Sequence, residues 1–295
     1  MYKQRHLIYD KEHCWQYEIK LNKLESDLSE IRVPLDKLKS LPISSFNFKY
    51  VDSCDIEECH KIKKFIETYE WLGNMPLRPT HRFAAYYQGR LVGAIVMSVP
   101  NSFSKILGED TPNLEKLISR GACISWAPKN LPSSLIMWSI RWMVKNTQFR
   151  IFTAYSDPEA KELGTIYQAC NFYYLGNKFG ADKLYYDPQK PKSGWFSSRI
   201  FRKINKIKSI AKKYSIPWED SWQSGYRVVW ENMDDYTRDF LRAEIKKWVD
   251  RCEVRKVPPK HKYCYILGRT KKETAKLRKK FFELGNENHT YPKER

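Results

Sequence analysis

The hydrophobic positions along the chain follow strand and helix periods in turn, and their order predicts a mixed α/β fold. NFKYVDS, residues 47–53, alternates as a half-buried strand does. Asp55 then stands at the position of an N-cap, before apolar residues that recur at helical spacing through IEECHKIKKFIETYEW. RFAAYYQGRLVGAIVMSVP, residues 82–100, predicts two strands around a Gln-Gly-Arg turn, which is a hairpin signal.

A second group of elements fills residues 119–176. In chain order we predict a strand in GACISW, a helix in LIMWSIRWMVKN, a strand in RIFTAYSD, a helix from Leu163 to Cys170 and a strand in NFYYLG. Strands that alternate with helices in this way should be largely parallel, with right-handed crossovers.

The junction between GACISW and the helix after it is the first candidate binding site. Two prolines break the intervening loop, APKNLP, which also holds Lys129 and Asn130. Ser133 and Ser134 can cap a helix that begins at Leu135. Because a helix N-terminus presents unpaired N–H groups and a partial positive charge, we expect a phosphate or pyrophosphate to bind there.

The distribution of charge divides the chain. The formal net charge is +19; residues 187–295 hold 28 Lys and Arg against 14 Asp and Glu, while residues 1–186 hold 25 against 20. Asp187-Pro188 and Lys190-Pro191 mark a boundary between the two regions. We therefore predict an N-terminal extension over residues 1–46, a core over 47–186 and a basic, mostly helical extension over 187–295. The asymmetry suggests a polyanionic partner.

The start of that extension carries the densest positive charge. Residues 190–213 contain nine basic residues and no acidic one. Apolar residues recur there at helical spacing, so the opposite face of the helix is a cationic ridge that suits a phosphate backbone. A solvated face or an anionic membrane surface is the alternative. The predicted nucleic-acid-binding residues of the ridge are Arg199, Arg202, Lys203, Lys206, Lys212 and Lys213.

The composition indicates the cellular compartment of the protein. No apolar run reaches the ~20 residues of a membrane helix, and MYKQRHLIYDKEHCW lacks the apolar core of a signal peptide. Seven scattered cysteines agree with reduced thiols. We expect a cytoplasmic protein with a nucleic acid, and no membrane, as its partner.

Three segments together resemble a known family. TAYSDPEAKELGTIYQACNFYYLG, EWLGNMP and RGACISWAP are similar to phage DNA-modification acyltransferases of the Mom type, which are divergent members of the GNAT superfamily of N-acetyltransferases. The resemblance covers residues 47–176, and a weaker similarity is present in KHKYCYILG and YPK near the C-terminus. It implies a GNAT-like mixed, twisted sheet flanked by helices. It also implies that acetyl-CoA or a related acyl-CoA lies against the helix N-terminus, with its phosphates on Lys129, Asn130, Ser133 and Ser134.

The resemblance further implies an activity. An enzyme of this type modifies an exocyclic amine of a base in double-stranded DNA, which is therefore the expected partner. Methylcarbamoylation of adenine N6 is the reference outcome, and it protects DNA from restriction in a bacterial host cell. A pyrimidine that already carries an amine is an alternative acceptor. Two other interpretations stay open: a conventional N-acetyltransferase acting on a protein or small molecule, and a non-catalytic GNAT fold that binds nucleic acid.

Three residues of the matched segments are the main candidates for catalysis. The Tyr167 phenol could protonate the CoA thiolate or hydrogen-bond the thioester, although a core aromatic is the alternative. Asp157 follows a strand and could accept a proton, orient the amine or bind a metal, and it could also cap a helix. Arg120 could pair with a phosphate or hold Asp157.

The pair Glu70-Trp71 ends the first predicted helix, where the Mom-like relatives carry a His-Tyr pair implicated in iron binding. Glu70 can act as a base or ligate iron, and with iron the ligands expected are Glu70 and Asp157. Trp71 cannot ligate a metal, because its indole nitrogen is only a donor. Its aromatic face could instead stack an unpaired base.

Overall fold

The computed structural model describes residues 14–100, 104–225 and 227–293. They fall into two compact units: unit 1 contains the described residues up to Phe179 and from Pro259 onwards, and unit 2 contains those from Gly180 to Pro258. The sequence-based boundary lay at residue 187, with all later residues in one extension. In the structure, the residues after 258 are part of unit 1 instead.

Unit 1 is built on a seven-stranded sheet. Its strands are β1 (Asn47–Val51), β2 (Pro79–Tyr87), β3 (Arg90–Ser98), β4 (Glu115–Cys123), β5 (Ile151–Ser156), β6 (Tyr173–Tyr174) and β12 (His261–Ile266). Its helices are α1 (Trp15–Ile31), α2 (Leu35–Lys39), α3 (Ile56–Tyr69), α4 (Thr111–Leu114), α5 (Leu131–Asn146), α6 (Thr165–Ala169) and α9 (Lys271–Glu283). The predicted mixed sheet flanked by helices is confirmed.

The sheet is mostly antiparallel. Its order is β1-β2-β3-β4-β5-β12-β6, and of these neighbours only β4 and β5 run parallel. The three strands predicted over residues 119–176 run in one direction, as expected, because β4 pairs parallel with β5 and because β5 and β6 are both antiparallel to β12. They are not all neighbours, since β12, from a distant part of the chain, lies between β5 and β6. The hairpin prediction is confirmed by β2 and β3, whose turn residues Gln88 and Gly89 both have positive φ, as a type I′ turn requires.

The two parallel strands separate towards their carboxyl ends. Their pairing runs from Glu115–Ile151 to Ile118–Ala154. Beyond that point β4 continues beside β3 as far as Cys123, and β5 continues beside β12 as far as Ser156. The facing edges of β4 and β5 therefore open beyond Ile118. The strand predicted in GACISW begins six residues earlier, at Glu115, and ends at Cys123.

The helix after β4 begins at Leu131, four residues before the predicted start. Pro132 fits there because the first turn of a helix does not need its N–H. Ser133 and Ser134 lie inside that turn and are not caps. The Ser133 hydroxyl donates to the Asn130 carbonyl over 3.1 Å, and the Ser134 N–H donates to the same oxygen over 3.0 Å.

The C-terminal segment, residues 288–291, is held against the end of α6 and against β6. The Tyr291 hydroxyl donates to the Phe172 carbonyl over 2.6 Å. The His289 N–H donates to the Tyr174 carbonyl over 2.9 Å, and the Tyr174 N–H donates to Asn288 Oδ1 over 2.9 Å. These bonds pair the segment with the outer edge of β6, which is the last strand of the sheet.

Helix α1, in the part of the sequence without an interpretable motif, fastens two segments of unit 1 together. Its Asp27 is only 3% exposed and accepts hydrogen bonds from the Tyr69 hydroxyl at the end of α3 and the Ser125 hydroxyl after β4, each over 2.6 Å. Gln16 adds bonds to the Tyr69 carbonyl and the Trp71 N–H.

Replacing Asp27 with Asn should loosen this junction. The amide has one acceptor oxygen in place of two, so either Tyr69 or Ser125 loses its partner in a buried place. We expect the free energy of unfolding to fall by about 2 kcal/mol in urea titrations. The matched control is Asp36→Asn in α2, where the side chain is exposed and the expected loss is below about 0.5 kcal/mol. Equal losses in the two variants would contradict the fastening role.

Unit 2 has its own hydrophobic core. Its strands are β7 (Lys183–Tyr186), β8 (Phe196–Ser197), β9 (Gln223–Ser224), β10 (Arg227–Val228) and β11 (Glu253–Lys256), and its helices are α7 (Ile204–Lys213) and α8 (Asp235–Asp250). The apolar faces of the two helices meet on buried residues that include Ile207, Ala211, Trp222, Met233 and Leu241. Across both units, none of the helices in the described ranges is long and apolar enough to cross a membrane.

Candidate active site

The candidate catalytic residues come from four segments of unit 1, near the end of the sheet at which β4 and β5 separate. Glu70 ends α3, Arg120 lies on β4, Asp157 directly follows β5, and Tyr167 lies on α6. The loop from Asp157 to Gly164 joins β5 to α6.

Arg120 holds the turn that follows α3. Its guanidinium donates to the Asn74 carbonyl over 2.7 Å and to Asn74 Oδ1 over 2.8 Å, and its Nε lies 3.9 Å from Glu70 Oε2. Glu70 is 6% exposed and also accepts from the Gly73 N–H over 3.2 Å. The structure thus pairs Arg120 with Glu70 and Asn74, and not with Asp157 as one sequence-based alternative had it.

Asp157 has two structural roles. Its Oδ1 accepts from the Glu159 N–H over 3.1 Å, which caps the short 3-10 turn after β5. Its Oδ2 lies 2.5 Å from Lys260 Nζ. The capping role considered from sequence is present. Its two carboxylate oxygens are thus already engaged, one by the turn and one by Lys260.

Glu162 is an acidic residue of the site that no sequence pattern indicated. Burial raises the pKa of its carboxyl to about 8, and the nearby negative charges of Glu70 and Asp157 act in the same direction. Hydrogen bonds from the Asp157 N–H and from the Trp71 side chain oppose the shift. A carboxyl of this kind can exchange a proton near neutral pH.

Tyr167 lies close to these carboxyls. Its ring packs on Phe172 and Tyr263, with centroids 5.4 and 5.3 Å away. Burial, and then the negative charges of Glu162 and Glu70, hold the pKa of Tyr167 well above its usual value. The phenol therefore stays protonated and can donate a proton or a hydrogen bond. Its hydroxyl makes no hydrogen bond with any residue that the structure describes.

Gly164 sets the position of α6. Its φ of +68° lies in the left-handed region, and a Cβ built on it would overlap the Tyr263 ring, 2.7 Å from Cζ. The Tyr263 hydroxyl also donates to the Leu163 carbonyl. The backbone of the loop thus sits directly on Tyr263, which fixes where the helix of Tyr167 begins.

Trp71 does not face solvent. It is 9% exposed and packs at a steep angle on Trp15, with ring centroids 5.2 Å apart, in a cluster that includes Ile19 and Ala160. Its predicted role as a stacking surface for a base does not fit this burial. The indole instead supports the loop that carries Glu162.

The N-terminus of α5 offers fewer donors than a regular helix end. The Leu131 N–H donates to the Pro128 carbonyl, the Ser134 N–H donates to the Asn130 carbonyl, and Pro132 has none. Among the described residues, the Ser133 N–H has no acceptor. Lys129 and Asn130 are exposed beside it. The assignment of CoA phosphates to these four residues stays a prediction.

The donors around Glu70 do not fit iron. No group of three or more His, Cys, Asp and Glu side chains is placed to hold a metal within the described stretches of the chain. Glu70 faces Arg120 and the Gly73 N–H, Asp157 faces Lys260, and the neighbouring Trp71 has no lone pair to offer. The two ligands expected from sequence are thus committed to other partners.

Comparison with known proteins decides the family. The profile of the Mom protein family matches residues 53–293, which is most of the chain. The chain belongs to the Mom protein family. No curated protein matches it.

Several solved structures similar to this Mom-family protein are acetyltransferases. A GNAT family acetyltransferase from Elizabethkingia anophelis with acetyl-CoA bound is 12% identical, with a TM-score of 0.34 over 46% of this chain and 80% of that one. An aminoglycoside acetyltransferase from an uncultured soil metagenomic sample is 11% identical, with a TM-score of 0.35 over 43% and 88%. Spermidine N-acetyltransferase from Vibrio cholerae is 11% identical, with a TM-score of 0.33 over 46% and 85%.

The cationic ridge lies on unit 2 of this Mom-family protein. Helix α7 turns Ile207 and Ala211 into the core of the unit, and a 3-10 turn over Ser198–Arg202 precedes it. All six predicted nucleic-acid-binding residues are exposed: Arg199, Arg202, Lys203, Lys206, Lys212 and Lys213. No carboxylate of the described residues lies within ion-pair distance of these six. Their role in binding stays a prediction.

Proposed function

We propose that this protein transfers the acyl group of acetyl-CoA or a related acyl-CoA to an exocyclic amine of a base in double-stranded DNA. The amine nitrogen bonds to the thioester carbonyl carbon, and the carbon–sulfur bond breaks. The nitrogen loses one proton and the thiolate gains one, so that the products are an amide on the base and free CoA. The observation that carries this proposal is the proximity of Tyr167, a phenol held protonated, to Glu162, whose pKa is raised to about 8.

The two side chains match the two proton transfers. In its ionised form Glu162 accepts the proton that the amine gives up. Tyr167 donates through its free hydroxyl to the sulfur or to the thioester oxygen. Arg120 and Glu70 hold the turn after α3 in place beside them. General acid and base groups of this kind each contribute about 10²- to 10⁴-fold to a rate.

The opening between β4 and β5 supports the choice of an acyl-CoA. Beyond Ile118 the edge of β4 that faces β5 carries backbone N–H and C=O groups with no ladder partner among the described strands. Such an edge can pair with an extended chain that contains amides, as the pantetheine arm of CoA does. Exposed Lys129 and the Ser133 N–H lie at the adjoining start of α5, where they can meet phosphate.

The choice of a DNA base rests on the family and on charge. An exocyclic amine of adenine is a weak nucleophile because its lone pair is delocalised into the ring, so the reaction needs a proton acceptor such as Glu162. The target must also leave the base stack, which costs a few kcal/mol. The ridge on unit 2 supplies contacts to the phosphate backbone that can offset this cost.

The proposal is tested by incubating the purified protein with duplex DNA and acyl-CoAs labelled in the acyl group, followed by mass spectrometry of the nucleosides. We expect label in one modified nucleoside, whose mass separates simple acylation from methylcarbamoylation and identifies the base. The modified DNA should also resist cleavage by restriction endonucleases that recognise that base. Acyl transfer to small amines but not to DNA would contradict the proposal, as would salt-sensitive DNA binding without any affinity for CoA.

The role of Glu162 predicts a pH dependence. Raising the pH through about 8 deprotonates the carboxyl and creates the base, so kcat/KM should rise through about pH 8 and then level off. In Glu162→Gln the rate should be lower and this rise should disappear. Glu109→Gln, on an exposed carboxylate, is the matched control and should keep the wild-type profile. A wild-type profile in Glu162→Gln would exclude Glu162 as the base.

A further inference from the structure

Unit 1 carries a second cationic surface, at the end of α5 remote from the candidate active site. A groove of about 460 Å³ lies between the C-terminal half of α5 and the turn from β12 into α9. Its lining consists of Arg141, Val144, Lys145, Leu267, Gly268 and Arg269. Half of these residues are cations and none is acidic. We call this surface the α5–α9 groove.

The two groove cations on α5 have no carboxylate close enough to form an ion pair with them in the described ranges. Arg141 and Lys145 are exposed and lie four residues apart on one helix, a spacing at which like charges repel by a few tenths of a kcal/mol. Within the described part of the chain, no carboxylate is in ion-pair distance of these two side chains or of the Arg269 guanidinium. A surface that keeps such a cluster gains from an anion that binds there.

The Arg269 side chain is fixed in direction by backbone carbonyls. Its Nε donates to the Val144 carbonyl over 3.2 Å, and a terminal nitrogen donates to the Thr147 carbonyl over 3.3 Å. These oxygens orient the guanidinium without cancelling its charge. The acidic residue Glu273 accepts from Arg150 Nε over 2.8 Å and from the Arg269 N–H over 2.6 Å, and it also attracts the Arg269 guanidinium.

The groove is separate from the site of the proposed reaction. Lys145 lies 14 residues after Leu131, the residue at which α5 begins beside the opening of the sheet. At 1.5 Å per residue this is about 21 Å along the helix. The exposed Lys271 and Lys272 continue the positive surface from the groove on to α9. A ligand that contacts both the groove and the candidate active site must therefore be long. To bind this positive surface it must also be negatively charged.

We propose that the α5–α9 groove binds the sugar–phosphate backbone of the DNA substrate and acts as an anchor on unit 1, additional to the ridge on unit 2. This inference rests on the proposed function for the identity of the polyanion. Arg141 and Lys145 contact phosphates, while Val144 and Leu267 provide an apolar floor for deoxyribose. A free nucleotide has the same phosphate-ester chemistry, and the test separates the two sources.

The test compares the double variant Arg141→Ala/Lys145→Ala with the control Lys37→Ala/Lys39→Ala. The control removes the same charge from exposed positions of α2 in the same unit. Binding of the full-length proteins to a fluorescent duplex is measured by anisotropy over a series of salt concentrations. We expect the slope of log affinity against log salt to become shallower by about two in the groove variant, because about one counterion is released per phosphate contact. The control should keep the wild-type slope, and both should keep the wild-type melting temperature.

Each outcome bears on the groove. Equal slopes in the groove variant and the control would overturn the proposal. So would loss of adenosine monophosphate binding in the groove variant with duplex binding unchanged, since the groove would then serve a free nucleotide. The measurement does not depend on turnover. A groove-dependent slope in a protein that modifies no base leaves the groove intact and refutes the reaction, whereas base modification with unaltered binding by the variant refutes only the groove.

Discussion

Tyr167→Phe should lower the rate of base modification by about 10²- to 10⁴-fold and leave the fold intact. The substitution removes only the hydroxyl, which has no hydrogen bond to lose among the described residues. The ring keeps its contacts with Phe172 and Tyr263, so the melting temperature should not change. Rates are measured under saturating acyl-CoA and DNA, so that the loss is assigned to kcat.

The matched control for this substitution is Tyr17→Phe. Tyr17 lies on α1 with 58% of its surface exposed, and the same atom is removed without effect on the site. The control should have wild-type activity. Wild-type activity in Tyr167→Phe as well would show that Tyr167 is a core aromatic, the alternative considered from sequence, and the proposed proton donor would have to be another residue.

Gly164→Ala should be the most damaging small substitution in the site. The left-handed backbone costs an alanine about 1–2 kcal/mol, and the overlap of its Cβ with Tyr263 adds about 1–3 kcal/mol. We therefore expect the free energy of unfolding to fall by about 3 kcal/mol in urea titrations. Activity should fall as well, because relief of the overlap moves α6 and with it Tyr167.

Gly89→Ala separates the two contributions. Gly89 also has a positive φ, of +78°, but a Cβ there meets nothing within 4 Å. It should lose only the backbone contribution, about 1–2 kcal/mol, and keep full activity. If Gly164→Ala is no more destabilised than Gly89→Ala, then Tyr263 does not hold the loop in the way described.

Much of the fold could be predicted because its signals are local. Asp55 caps α3 by accepting from the Glu58 N–H over 3.1 Å, as the pattern before IEECHKIKKFIETYEW indicated. The turn at Gln88 and Gly89 required only neighbouring residues. The start of α5 was placed too late because Ser133 and Ser134 look like caps, whereas a helix also accepts proline in its first turn.

Long-range pairing could not be predicted in the same way. β12 lies about a hundred residues after β5 along the chain, yet it lies between β5 and β6 in the sheet. Nothing in its own sequence states which strands it pairs with. This insertion turned a strand order that favours parallel pairing into an antiparallel arrangement on one side of β5.

The site residues, too, could be predicted where the signal was local and not where it came from residues distant in the sequence. The family resemblance marked Tyr167, Asp157, Arg120 and Glu70, and the structure places them at one end of the sheet. Glu162 was missed although it lies within the matched segment, because its raised pKa comes from burial and from Glu70, which is distant in the sequence. Trp71 was misjudged for a similar reason, since its burial depends on Trp15 in α1.

The central claim is that Tyr167 donates the proton in the modification of a DNA base. One measurement tests this claim whichever acyl donor the protein uses. DNA is isolated from cells that express the wild-type protein, Tyr167→Phe or Tyr17→Phe, and its nucleosides are analysed by mass spectrometry. The account predicts one new nucleoside with the wild type and with Tyr17→Phe, and its absence with Tyr167→Phe. DNA with only unmodified nucleosides in the wild-type sample, or an equal amount of the new nucleoside in all three, would contradict it.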